Sequence, residues 1–209
     1  MSQTEIELRA FDFQLDIEAR GKDKPEIVGH AAVFNKYTDI MWFQERVMPG
    51  AFSETIKNDD VKFLFNHNPD NILARRFNKT LELNEDEKGL FIRAYPADTT
   101  LGRDLLKLIE RGDISQMSFA FKVSKDGDVW HEGKDGEPDK RDLLKLKVFD
   151  VSAVTHPAYK DTDISLRSYQ EWRKKIEEIQ DIVSPPMDTW RTGLLRKRLN
   201  LNKRRYIDE

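Results

Sequence analysis

The chain has 209 residues, 38% of them hydrophobic and 35% charged, enough to bury one good core with an appendage but too few for two large domains. With 35 basic against 38 acidic residues the net charge is −3, so no global field draws the molecule to nucleic acid or to an anionic membrane. The lack of cysteine excludes disulfides, a thiol nucleophile and cysteine-ligated zinc. It suits a reducing cytoplasm. No stretch approaches the roughly 20 apolar residues of a membrane helix, and the opening Met-Ser-Gln-Thr-Glu lacks a targeting pattern, so a soluble chain is expected.

In chain order, Phe11, Phe13, Leu15, Ile17 and Ala19 alternate with Asp12, Gln14, Asp16 and Glu18, the pattern of a strand with one wet face. Further strands are predicted over 26–34, 61–66, 79–83, 90–95, 118–124 and 143–154. The polar run from Asn84 to Gly89 reads as a hairpin connection, which predicts antiparallel pairing of its flanks. A short helix is predicted over 51–57, after Pro49-Gly50, and a stronger one over 101–111. In the second, Leu101, Leu105, Leu108 and Ile109 fall at helical spacing, and Gly112 supplies a stop. The segment 125–141, with Gly127, Gly133, Gly136 and Pro138 among many charges, reads as a long mobile excursion near the surface.

Six or seven strands with two inserted helices predict a mainly β (β+α) fold, an antiparallel barrel or strongly curved sheet with the helices packed outside. After about Arg167 the composition shifts. Trp172, Ile176, Ile179 and Val183 line one side of a charged helix over 169–183, Ser184-Pro185-Pro186 breaks it, and a basic helical piece over 192–205 follows. The organisation expected is a domain over 1–167 and a charged helical C-terminal appendage over 168–209.

A hydrolase without cysteine can use a metal, paired carboxylates or an activated hydroxyl. The histidines His30, His67, His131 and His156 show no His-Glu-x-x-His or other close ligand spacing, so neither a metal nor a cofactor is expected. No carboxylate pair stands out among 38 acids. The hydroxyl route has candidates. His67 follows the apolar run Val61-Lys62-Phe63-Leu64-Phe65, where a strand's end leaves an imidazole partly exposed. Ser118 stands between bulky apolar neighbours in Gln116-Met117-Ser118-Phe119-Ala120-Phe121. Asp150 interrupts the apolar strand Phe149-Asp150-Val151-Ser152-Ala153-Val154, where a carboxylate is costly to bury without a partner.

Together the three fit a Ser-His-acid division of labour. His67 would take the proton of Ser118, and Asp150 would fix the imidazole tautomer and stabilise the imidazolium. An imidazole with an ordinary pKa of about 6.5 can act in both directions near neutral pH. On position alone, a strand-end histidine is more often an ordinary surface residue and a serine among aromatics more often a core filler. Asp150 becomes a turn or cap residue if the strand boundary moves by two or three positions.

At these same segments the chain resembles the prohead proteases of tailed phages, which are related in fold to the herpesvirus assembly proteases. The matching stretches are Gly29-His30-Ala31-Ala32-Val33-Phe34, Glu45-Arg46-Val47-Met48-Pro49-Gly50-Ala51-Phe52, Leu64-Phe65-Asn66-His67-Asn68, Gly89-Leu90 and Gly102-Arg103-Asp104-Leu105-Leu106. They continue through the run from Arg111 to Phe121 and the run from Phe149 to Tyr159. Their order and spacing cover about residues 8–168. The resemblance implies a herpesvirus-protease-like barrel with His67 as base and Ser118 as nucleophile. The family's third position is usually a glutamate where this chain has Asp150, one methylene shorter, which allows for a longer or water-bridged bond to the base. The herpesvirus relatives use a second histidine there, so His156 is the alternative third member. Ser115 is a weaker alternative nucleophile.

The same resemblance implies a serine endopeptidase acting inside the procapsid in the host bacterial cytoplasm. It would cut scaffold protein or the scaffolding segment of the major capsid protein, and often itself. Its partners would be those two proteins, with a homodimer expected by analogy and no membrane partner. The appendage would be a scaffold or capsid tether, or a propeptide. Nucleic-acid contact through its basic end ranks third, since no aromatics are interleaved. The competing readings are a catalytically inert assembly module on a protease-like barrel and a nucleic-acid-binding barrel, which the mildly acidic composition disfavours.

Overall fold

Apolar residues at alternate positions mark strands along much of the described chain. The computed structural model describes residues 6–11, 16–19 and 25–156, with the isolated positions 170, 173 and 174 beyond them; thirteen strands and two helices fall among the described residues. The chain divides into two units, Met1–Leu166 and Arg167–Glu209, and the first is described below. The helices expected over 169–183 and 192–205 lie outside the described residues apart from those three positions.

The strands form three sheets. The first holds, side by side, β1 (Glu7–Phe11), β10 (Gln116–Val123), β13 (Leu146–Val154), β6 (Lys62–Phe65) and β7 (Asn68–Arg75). The second runs β2 (Asp16–Ala19), β3 (Pro25–Val33), β9 (Gly89–Ala94), β8 (Leu81–Glu85), antiparallel throughout. The third runs β11 (Asp128–His131), β12 (Asp139–Leu143), β5 (Phe43–Val47), β4 (Thr38–Ile40).

The fold is mainly β with few helices, as expected, but the antiparallel barrel of six or seven strands is not what forms. Among the described residues no sheet closes on itself, and two neighbouring pairs, β13 with β6 and β12 with β5, are parallel. Parallel neighbours are joined through long crossovers, which leave no local signature of the kind a hairpin turn leaves. Three further expectations are corrected. The alternation from Phe11 to Ala19 is shared between two sheets, β1 ending at Phe11 and β2 beginning at Asp16. The supposed excursion over 125–141 contains the β11–β12 hairpin, with Arg141 buried to 2% exposure. The strand expected over 143–154 breaks after Leu143, where the backbone N–H groups of Leu144 and Lys145 both donate to the Gly127 carbonyl at 2.7 and 3.0 Å.

The β8–β9 hairpin forms as the turn chemistry predicts. Asp86 Oδ1 accepts from the N–H of Lys88 at 2.8 Å and of Gly89 at 2.9 Å. A Cβ at Gly89 would stand 1.9 Å from the Ala32 carbonyl oxygen, so only glycine lets β9 approach β3 here.

The stronger helix is α2 (Thr100–Glu110), capped by Thr99, whose Oγ1 accepts from Gly102 N at 3.1 Å, and stopped at Gly112 with φ +80°. It buries Leu105 and Ile109. The shorter α1 (Ser53–Asn58) is pinned to β13 by the buried Thr55 hydroxyl, which lies 2.9 Å from the Leu146 carbonyl oxygen and accepts from Val148 N at 3.0 Å. Phe52, Phe63, Met117, Phe119, Phe121 and Val151 have no exposed surface. Each such side chain contributes about 1.5–3 kcal/mol of burial. The Phe119 and Phe121 rings stack at 4.9 Å on the core face of β10, and strand alternation turns the even positions, Ser118 and Ala120, the other way.

Candidate active site

Ser118, on β10, pairs across the ladder with Ser152 of β13, and Ala120 pairs with Asp150. Beyond that point Phe121 pairs with Val148, so Phe149 is an extra residue and β13 carries a bulge. On a regular strand Val148 would share a face with Asp150 and Ser152. The bulge separates them: Val148, Val151 and Ala153 join the core, while Asp150 and Ser152 stand on the face of Ser118.

His67 reaches this face by a different device. It lies between β6 and β7, where Asn66 and His67 both take left-handed backbone angles, with φ of +55° and +53°. Non-glycine residues adopt this region at a cost of roughly 1–2 kcal/mol each, and such strain gathers at functional sites when the surroundings impose it. Here the two-residue loop of the β6–β7 hairpin requires it, Phe65 pairing with Asn68, and β13 and the segment after it hold the turn. Asn66 N donates to the Ala153 carbonyl at 2.9 Å, Asn66 Oδ1 accepts from Thr155 N at 2.9 Å, and His67 N donates to Ser152 Oγ at 3.3 Å.

Three side chains consequently stand in series. His67 Nδ1 is 2.6 Å from Asp150 Oδ1, and His67 Nε2 is 2.7 Å from Ser118 Oγ. The bond to Asp150 is direct despite the short side chain, with the bulge and the left-handed turn bringing the two residues together. Ser152 Oγ donates to the same Asp150 Oδ1 at 2.8 Å. Ser118 is fully buried, and its hydroxyl also donates to the Arg9 carbonyl oxygen of β1 at 2.8 Å. With Nδ1–H committed to Asp150, Nε2 accepts, so the single hydroxyl hydrogen of Ser118 has two acceptors to choose between.

The other candidates stand apart. His156 is exposed just past the end of β13, with Nδ1 donating to its neighbour's carbonyl, Thr155 O, at 2.6 Å. Ser115 is exposed in the link before β10. His30 pairs with Asp86 at 2.8 Å and His131 with Asp142 at 3.1 Å, both in other sheets. Sequence reasoning missed Ser152, Asn66 and the Arg9 carbonyl. Ser152 was legible in principle, since it follows Asp150 by two residues in a strand.

The strand that presents the Arg9 carbonyl is anchored by buried charge. Arg141 Nη1 lies 3.0 Å from both Glu7 Oε2 and Glu45 Oε2, and its Nε lies 2.9 Å from Asp128. Arg9 meets Glu45 and Glu7 at 2.7 Å each. Burial pushes the Glu7 carboxyl up, but Arg141 and Arg9 together outweigh it and hold it below the ordinary glutamate range. Burial likewise opposes charge on Arg141, and Glu7, Glu45 and Asp128 together raise it above the usual arginine value. Removing one partner from such a cluster is costly, which keeps β1 in place beside β10.

A hydroxyl, an imidazole and a carboxylate in series are the working parts of a serine hydrolase. A family model described as the caudovirus prohead serine protease matches residues 13–175, most of the chain, and the protein belongs to that family, a family of serine proteases. Among solved structures, it is similar to the bacteriophage T4 capsid assembly protease, gp21, with a TM-score of 0.50 and 13% identity, over 72% of this chain and 97% of that one. At that identity the likeness is one of fold. The comparison with curated proteins gives no match.

Proposed function

We propose that Ser118 is the nucleophile of this prohead protease, His67 its general base and Asp150 the carboxylate that orients the base. The observation that carries the reading is the pair of bonds at His67, 2.6 Å from Nδ1 to Asp150 and 2.7 Å from Nε2 to Ser118. In the reaction, the Ser118 hydroxyl turns from the Arg9 carbonyl to Nε2, and Oγ attacks the scissile carbonyl as its proton passes to His67. The imidazolium, facing the Asp150 carboxylate, then gives that proton to the leaving amine, and a water activated the same way frees the acyl group from Oγ.

The substrates are scaffold protein or the scaffolding segment of the major capsid protein, inside the procapsid of the host bacterium, and the enzyme also cuts itself. The C-terminal appendage, 168–209, is a tether to the capsid or scaffold or a propeptide removed on activation. Kinship with the herpesvirus assembly proteases and action as a homodimer belong to the same proposal and rest on family analogy.

The test is intact-mass spectrometry of the wild type and Ser118→Ala, each alone and with the capsid or scaffold protein of the same genome. Fragments formed by the wild type only are expected, and they identify the cleaved bonds. Equal fragmentation by Ser118→Ala removes the assignment. If neither produces fragments under assembly conditions, an inert assembly module becomes the better reading.

A further inference from the structure

Ser152 takes no part in the proposed reaction, although it is fully buried at the centre of the site face. Its hydroxyl makes two bonds, and both end on members of the proposed triad. It donates to Asp150 Oδ1 at 2.8 Å, the oxygen that also receives His67 Nδ1, and accepts from the His67 backbone N–H at 3.3 Å. A ring closes through His67 N–H, Ser152 O–H, Asp150 Oδ1 and His67 Nδ1–H. A small residue filling a core would need no hydroxyl.

We infer that Ser152 is a positioning residue for this site, a fourth member that fixes the Asp150 carboxylate and the strained His67 backbone against each other. This rests on the assignment of Ser118, His67 and Asp150 above. An aspartate on a bulged strand has one carboxylate oxygen at the imidazole, and a second donor on that oxygen holds the χ2 rotation that brings it there. The same hydroxyl secures the N–H of a residue held at φ +53°. Without it, His67 Nε2 no longer points at Ser118 with the regularity that proton transfer needs, while the surface that meets a substrate is untouched. The loss should fall on the chemical step and not on binding.

The experiment uses the full-length protein and a fluorophosphonate probe, which reacts with an activated serine hydroxyl whatever the natural substrate. Labelling is measured against probe concentration to separate the limiting rate from the half-saturation concentration, and the downfield His67 Nδ1–H proton resonance is recorded alongside. For Ser152→Ala we expect a limiting rate about 10- to 100-fold lower, an unchanged half-saturation concentration, and a broadened or lost resonance. In an Asp150→Asn background the same substitution should cost no more than about twofold, because the carboxylate it positions is gone.

Ser152→Cys, close in shape and a weak donor, guards against misfolding of the alanine variant; its rate should lie between the two. A wild-type rate with an intact resonance in whichever of the two folds overturns the inference. So does the full loss persisting beside Asp150→Asn. Labelling of Ser118→Ala at the wild-type rate would instead sink the underlying assignment of the nucleophile.

Discussion

The Asp150 carboxylate meets the His67 imidazole at 2.6 Å because neither residue is reached by a regular strand. Asp150 follows the extra residue of a bulge, and His67 is the second of two left-handed residues. Both departures are needed, since straightening the bulge would set Asp150 on the face of Val148, and an extended His67 would carry β6 on beside β13 instead of turning into β7.

Asp150→Asn keeps the shape and replaces an oxygen by an amide that can donate to Nδ1, which selects the wrong imidazole tautomer. The fluorophosphonate labelling rate of Ser118 should fall by about 10³- to 10⁴-fold with thermal stability little changed. A fall of less than about tenfold would show that the acid does not set the tautomer.

Asn66→Ala keeps the left-handed requirement but removes the bond from Thr155 N, leaving a non-glycine residue at φ +55° with less to hold it. A loss of about 1–2 kcal/mol in urea unfolding is expected. Asn66→Gly, which tolerates that backbone angle, should lose less than the alanine variant. The reverse order would show that the turn is not strained.

Arg141→Met leaves Glu7 and Glu45 facing Arg9 alone in a buried site. The cost should be about 3–5 kcal/mol, read as a fall in Tm of roughly 10 °C. Because the cluster anchors β1, proteolysis with an added protease should open the chain first at residues 6–11.

Asp60, beside the start of β6, has its carboxyl held down to about 2, chiefly by hydrogen bonds from Arg75 against a smaller opposing effect of burial, with help from Lys62. A folded-state pKa below the ordinary value means the stabilisation is complete above that ordinary value and vanishes as pH falls through about 2. The urea midpoint of Asp60→Asn should therefore lie below the wild type by a constant amount from about pH 7 to pH 5, and the gap should close as pH falls toward 2. A gap that widens on acidification would contradict the pairing. Glu7, also depressed, has the same sign, so the whole protein should lose stability in acid.

Much of this was legible in local patterns. Strands β3, β6, β9 and β10, both helices and the β8–β9 hairpin follow from alternation, helical spacing and turn residues, each of which acts over a few positions. Ser118 and Asp150 were singled out because each interrupts an apolar run, and His67 because it follows one at a strand's end; the resemblance at those segments supplied their roles. The β11–β12 hairpin was missed for a matching reason. Its charged residues imitate a solvated loop, and their burial is tolerable because Arg141 meets Glu7, Glu45 and Asp128 while Asp142 meets Arg46.

What the sequence by itself determined, then, is a mainly β chain carrying a serine, a histidine and an acid in positions that invite one another. Which acid meets His67, and how the strands divide into three sheets among the described residues, were decided only in three dimensions. Those outcomes depend on the register between strands more than 20 residues apart, and a bulge of one residue is enough to turn a side chain from one face to the other.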